Sequence, residues 1–173
     1  MIKTICIGLA TLLSILSICL HFLDKEKIIY VDTGKLVSEF ILAKELNKKI
    51  DEIVKARKSI TDSLYRELKK LTFDVKLEKA KDLEKVKRLA ALEDEFNYKQ
   101  QEFDKSNKET STEYLNKIWS QLNQYVTEYG KKKGCVYILG ANGQGNIMFA
   151  EENKNVTDDL IQYINERYED KTK

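Results

Sequence analysis

The chain has 173 residues, with 30 lysines and arginines against 28 aspartates and glutamates, and no proline. Charge is dense but interleaved, with a net of +2, which excludes the clustered basic excess of a nucleic-acid binder and the high net charge of a disordered chain. No glycine falls between Lys35 and Tyr129, and so long a run without a helix breaker excludes a sandwich, a barrel enzyme or a loop-rich fold for most of the chain.

Residues 5–23 carry no charge and follow one basic residue, Lys3. As a helix they would span about 28 Å, close to the hydrocarbon thickness of a bilayer. Residues 1–23 are therefore expected to be a signal anchor. The alternatives are a cleaved signal peptide, although no clean small-residue cleavage site is present, and lipidation at Cys19, although Ile18 before it is large. Each sends the remainder across the inner membrane of a bacterium into the periplasm. Cys6 and Cys19 lie in this segment, leaving Cys135 alone beyond it and no basis for a disulfide framework.

Residues 27–32 (KIIYVD) are β-branched and aromatic and are expected to form a strand, with Thr33 or Ser38 capping the helix that follows. From there apolar positions recur at helical spacing. The first stripe is Leu46, Ile50, Ile53, Val54, Ile60, Leu64, Leu68, Leu71 and Val75. The second is Val86, Leu89, Leu92, Phe96, Phe103, Tyr114, Leu115, Ile118, Trp119, Leu122, Val126 and Tyr129. Two antiparallel helices burying these stripes against each other are favoured over a single helix about 140 Å long. The spacing thus predicts a helical hairpin over 38–129 with its bend at 76–88, where six bases and three acids make a locally basic tip. Ser106, Asn107, Thr110, Ser111 and Thr112 are poor helix formers, so residues 99–112 are expected to be solvated and loosely paired.

After Gly130 the composition changes. Residues 131–134 (KKKG) stop the helix. Residues 135–139 (CVYIL) and 146–150 (NIMFA) are expected strands, joined as a hairpin through the glycine-containing loop 140–145. Its G-x-x-G-x-G order lacks the Lys-Ser/Thr of a phosphate loop. Asn155 and the acidic pair Asp158 and Asp159 open a final helix over about 160–168. A small body of 27–37 with 130–168 therefore carries the hairpin. His21 is the sole histidine and lies in the apolar amino segment, so no Ser/His/Asp set, zinc site or paired-carboxylate signature can be assembled. Asp32 follows a strand without a nameable catalytic partner and reads as a structural turn. No enzyme activity, cofactor or metal is expected.

A strand, a charged helical hairpin, a strand pair and a final helix together resemble the OmpH/Skp family of periplasmic chaperones. The residues carrying the resemblance are 27–32 with Leu36 and Val37 at one end. At the other they are 134–139 (GCVYIL), 147–150 (IMFA), and Asn155, Val156, Thr157, Asp158, Asp159, Leu160, Ile161, Ile164 and Asn165. The resemblance implies an α+β fold, mostly α: a long antiparallel helical hairpin, a coiled-coil arm, on a small β-barrel body formed by a homotrimer. It also implies an ATP-independent holdase, with clients held in a cavity between the arms. The clients would be unfolded outer-membrane β-barrel proteins.

On that reading Ile29, Val31, Val136, Ile138, Ile147 and Phe149 build the trimer body. Tyr65, Phe73, Phe96, Tyr98 and Phe103 line the cavity and touch the client, although each is equally explained as hairpin core. The partners are the client, further copies of the chain, and the inner membrane through residues 5–23 where these are retained. The alternative class is structural: a membrane-tethered coiled-coil subunit of an envelope secretion or assembly complex, which the long apolar amino segment supports.

Overall fold

The computed structural model describes residues 27–77 and 81–172, so segment 1–23 and the three readings given for it lie outside the described residues. In chain order the elements are β1 (Ile28–Asp32), α1 (Thr33–Glu39), α2 (Ile41–Leu77), α3 (Leu83–Lys133), β2 (Tyr137–Ala141), a 3-10 turn (Glu152–Lys154) and α4 (Thr157–Thr172). The fold is α+β and mostly α, as expected. No helix among the described residues is long and apolar enough to cross a membrane. Two compact units divide these residues, 27–36 with 125–163 and 37–124 with 164–172.

In the first unit β1 and β2 form a two-stranded parallel sheet, with Ile29 opposite Ile138 and Val31 opposite Gly140. The expected hairpin between 135–139 and 146–150 is thereby corrected. β2 begins two residues later than predicted, and 146–150 is not a strand. Helix capping explains the shift. Gly134 adopts φ 64° at the end of α3, its N–H donates to the Lys131 carbonyl, and the Cys135 N–H donates to the Gly130 carbonyl at 2.9 Å. This is the paired closure of a helix by a left-handed glycine, and it consumes the Cys135 N–H that a strand would need. Asn146 explains the loss of the second strand. Its side chain donates to the Gly140 carbonyl and accepts from the Asn142 N–H, so the loop is closed by a side chain instead of a ladder.

Ile29 and Val31 are buried on β1, and Leu36, Tyr125, Tyr129 and Leu160 are buried in the same unit. The Asp32 carboxylate accepts from the Lys35 N–H at 2.9 Å. Asp32 therefore caps α1, a role the sequence had assigned to Thr33 or Ser38. Thr157, the one buried polar residue among those described, accepts from the Asp32 N–H at 2.8 Å and donates to Asn155 at 2.6 Å. Asn155 also accepts from the Thr157 N–H at 3.0 Å, opening α4 as predicted.

In the second unit α2 and α3 run antiparallel, because Arg57 meets Asn107 while Glu67 meets Arg88. α2 ends at Leu77 and α3 starts at Leu83, within the predicted bend. Asp82 caps α3 by accepting from the N–H groups of Glu84 at 3.0 Å and Lys85 at 3.2 Å. Phe40, Leu42, Ala43, Leu46, Ile118, Leu122 and Ile164 are buried. Beyond Leu46 on α2 and before Ile118 on α3, Leu92 is the one buried residue among those described. Most of this hairpin therefore has a half-buried seam, as expected of two helices with nothing packed across their open side.

Two expectations for the hairpin are corrected. Residues 99–112 are helical, as the hairpin over 38–129 requires, but their expected loose pairing does not hold at one layer, where Arg57 donates from one guanidinium nitrogen to Asn107 and from the other to Ser106 at 2.9 Å. The apolar seam gives way to a paired polar layer, because the poor helix formers supply acceptors for an arginine on the opposite helix. Leu115 and Trp119, counted with the second stripe, are 50% and 42% exposed.

Candidate functional site

A helix pair with one apolar seam must leave its remaining large side chains in solvent, and here several of these are aromatic. Tyr65 and Phe73 on α2 and Tyr98 on α3 are 46%, 61% and 64% exposed. Phe96 and Phe103 are half-buried. The structure joins two of the five proposed contact residues directly, since the rings of Tyr65 and Phe96 lie 5.9 Å apart and tilted by 37°. Phe73 has no ring partner of this kind among the described residues.

Cations flank these rings. Lys69 Nζ lies 5.2 Å from the centre of Tyr65. Lys99 Nζ lies 5.7 Å from Tyr98 and 5.5 Å from Phe103. The Arg57 guanidinium lies 5.6 Å from the centre of Phe103. Lys99 also donates to Glu102 at 2.9 Å, and this hydrogen bond, followed by the charge of Glu102, raises its pKa above the usual lysine value. Rings with cations beside them attract both apolar and aromatic groups, while the charges keep the surface soluble. Beside the polar layer is a groove of about 180 Å³ lined by Val54, Arg57, Thr61, Gln100, Phe103 and Asn107.

Ile60, Leu115 and Trp119, which the sequence reading placed in the buried stripes, are exposed, and Leu77 and Leu83, which it left out, are exposed as well. At Ile60 the half-buried position is taken by its neighbour Thr61.

Of the six body residues, Ile29 and Val31 are buried on β1, and Ile138 is half-buried on β2. Val136 is 51% exposed just before β2, where its N–H donates to the Lys27 carbonyl at 3.0 Å. Ile147 is half-buried and Phe149 is 85% exposed, neither in a strand. Among the described residues no group of three or more His, Cys, Asp or Glu is placed to hold a metal ion.

Exposed aromatic side chains along a long helical hairpin are the main surface feature of the second unit. The sequence model of the family described as Outer membrane protein (OmpH-like) matches residues 27–164. The chain is 24% identical over 144 residues to the chaperone protein Skp of Pectobacterium atrosepticum, covering 80% of this chain and 86% of that protein. An OmpH-like outer membrane chaperone from Caulobacter crescentus CB15 shares the fold, with a TM-score of 0.71 at 14% identity over 83% of this chain and 86% of the other. The chain belongs to the OmpH-like family, a family of chaperones, and it is not an enzyme.

Proposed function

We propose that the chain is an ATP-independent periplasmic holdase that keeps unfolded outer-membrane β-barrel proteins from aggregating. Clients are held by Tyr65, Phe73, Phe96, Tyr98 and Phe103 in a cavity between the arms of a homotrimer. The observation that carries this reading is the exposure of Tyr65, Phe73 and Tyr98 along a hairpin whose seam is already closed without them. Large apolar side chains left in water on one element mark a binding surface.

The energetics suit a holdase. An aromatic ring that buries about 80 Å² more on contact contributes about 2 kcal/mol. Four such contacts give about 8 kcal/mol, a micromolar Kd before the costs of ordering are subtracted. Capture is then multivalent and reversible, with no need for a nucleotide cycle.

Assembly is supported by the sheet. Two strands alone are marginal in water, and an open edge invites pairing with another chain. Ile28, Val136, Tyr137, Leu139 and Phe149 are all more than 40% exposed in the single chain. On this reading they, with Ile29, Val31, Ile138 and Ile147, meet other copies and close a barrel. Residues 5–23, where retained, tether the trimer to the inner membrane.

The test is dilution of an outer-membrane barrel protein from urea into buffer without nucleotide, with and without residues 24–173. Light scattering should be suppressed at one trimer per client, and deletion of residues 60–105 should abolish the effect. A trimer that leaves aggregation unchanged would favour the membrane-tethered structural subunit instead.

A further inference from the structure

Residues 35–50 contain neither glycine nor proline, and Leu36, Phe40, Ala43 and Leu46 continue one buried helical face through them. Left to its own sequence, this stretch should run as one helix. The Ile41 N–H would then bond to the Val37 carbonyl, and the Glu39 carbonyl would accept from Ala43. Instead the helix is interrupted at Phe40 between α1 and α2, and the Phe40 N–H reaches back only three residues to Val37, at 3.4 Å.

The two backbone groups at the interruption meet a single carboxamide on α4. The Ile41 N–H donates to Asn165 Oδ1 at 2.9 Å, and Asn165 Nδ2 donates to the Glu39 carbonyl at 3.1 Å. One turn further along α4, the Tyr168 ring stands edge-on to Phe40 with centroids 5.7 Å apart, and its hydroxyl donates to Glu45 at 2.7 Å. An asparagine is suited to this position. Its side chain carries one acceptor and one donor in a fixed plane, so it serves a helix end and a helix start at once. Both backbone groups are served by a residue more than 120 positions away in sequence.

We propose that Asn165 is a positioning residue that holds the break open, and that residues 33–77 have a second state in which α1 and α2 anneal into one continuous helix. Annealing would exchange the two bonds to the Asn165 carboxamide for backbone bonds such as Ile41 to Val37 and Ala43 to Glu39, so the balance between the two states is biased by where α4 sits. In the broken state the start of α2, the first helix of the arm, is pinned by Asn165. In the annealed state it is stiffened by an uninterrupted helical backbone. The functional consequence rests on the holdase reading above: annealing stiffens the arm and slows the entry of a client.

The test is Asn165→Ala in the full chain, read by the backbone chemical shift of Phe40 and the hydrogen exchange of the Ile41 amide. Annealing predicts that the Phe40 Cα shift moves into the helical range while Ile41 stays protected, now bonded to Val37. A loss of Ile41 protection with Phe40 still non-helical overturns the proposal, because the break would then be intrinsic. A merely destabilising effect does not turn Phe40 helical. Should the alanine variant fail to fold, Asn165→Ser, which is polar but too short to reach both groups, carries the same two readouts. Capture of a urea-diluted barrel protein should slow several-fold in a variant that anneals. Unchanged capture despite annealing overturns the functional part. If the natural chain captures no client, the holdase reading fails, while the two spectroscopic readouts still decide the switch.

Discussion

The phenol of Tyr129 donates a hydrogen bond to the Asp159 carboxylate across 2.6 Å, tying the end of α3 to the first turn of α4. Lys133 donates to the same oxygen at 3.0 Å, and the Tyr163 ring packs edge-on against Tyr129 at 5.4 Å. Tyr129 is 2% exposed. Burial first, and then the bond to Asp159, raise its pKa well above the usual 10.0. The bonds from Tyr129 and then Lys133 hold the Asp159 carboxyl below its usual 3.8.

Linkage sets the pH window of this contact. Above pH 10.0 the unfolded chain loses the phenolic proton while the fold retains it, so the contribution of Tyr129 is full below that pH and declines as pH rises above it. Below pH 3.8 the unfolded chain binds the carboxyl proton first, so the contribution of Asp159 is full above that value and declines as pH falls through the lowered pKa. Tyr129→Phe should cost about 1–2 kcal/mol at neutral pH. The deficit of the variant relative to the natural chain should shrink at both extremes. Thermal melts of the two proteins across pH measure it, and a deficit constant with pH contradicts the assignment.

The polar layer of the arm predicts an asymmetry between single and double variants. Asn107→Leu leaves the half-buried Arg57 guanidinium short of an acceptor and should cost about 1–3 kcal/mol. Arg57→Leu combined with Asn107→Leu continues the apolar seam and should recover that loss or exceed the natural stability. A double-mutant cycle by denaturant unfolding gives the coupling directly, and simple additivity would show that the two side chains are not a unit.

Assembly and folding should separate at the sheet. Ile29 is 4% exposed, so Ile29→Asp places a charge inside a packed unit and should cost several kcal/mol, unfolding the chain. Val136 is 51% exposed, so Val136→Asp should leave the subunit folded and weaken only its association. Sedimentation together with near-ultraviolet circular dichroism distinguishes the two. A Val136→Asp protein that stays fully trimeric removes this residue from the interface.

Client capture should depend on the exposed rings in number more than in identity. Tyr98→Ser or Phe73→Ser alone should change stability by less than about 0.5 kcal/mol, as expected at exposed positions, and should weaken capture only slightly. Tyr65→Ser, Phe73→Ser and Tyr98→Ser together should raise the half-saturating concentration by at least tenfold, the equivalent of about 1.4 kcal/mol. Raising salt should weaken capture in part, because exposed charges are screened beyond about 8 Å at physiological ionic strength while apolar contacts are not. A triple variant with full activity would move the binding surface elsewhere.

The sequence by itself determined what local physics controls. Steps of three and four between apolar residues specify α2 and α3, because neighbours on a helix face lie three or four residues apart whatever they later pack against. Gly134 marks the end of α3 and Asn155 the start of α4, because a left-handed turn and a side-chain cap need only adjacent residues. Asp82 is the same kind of local cap at the bend, although the sequence reading did not single it out. The tertiary structure alone decided which partners meet. β1 pairs in parallel with β2 instead of 135–139 pairing with 146–150, a choice between edges remote in sequence that β-propensity does not distinguish. Leu115 and Trp119 face water although they share the periodicity of Ile118 and Leu122, because a stripe wider than its partner helix can cover only in part. At the interruption at Phe40, the carboxamide that serves the two backbone groups belongs to Asn165, which is remote in sequence. Local periodicity says which residues form helices, and only packing says where a helix is broken and which side of it stays wet.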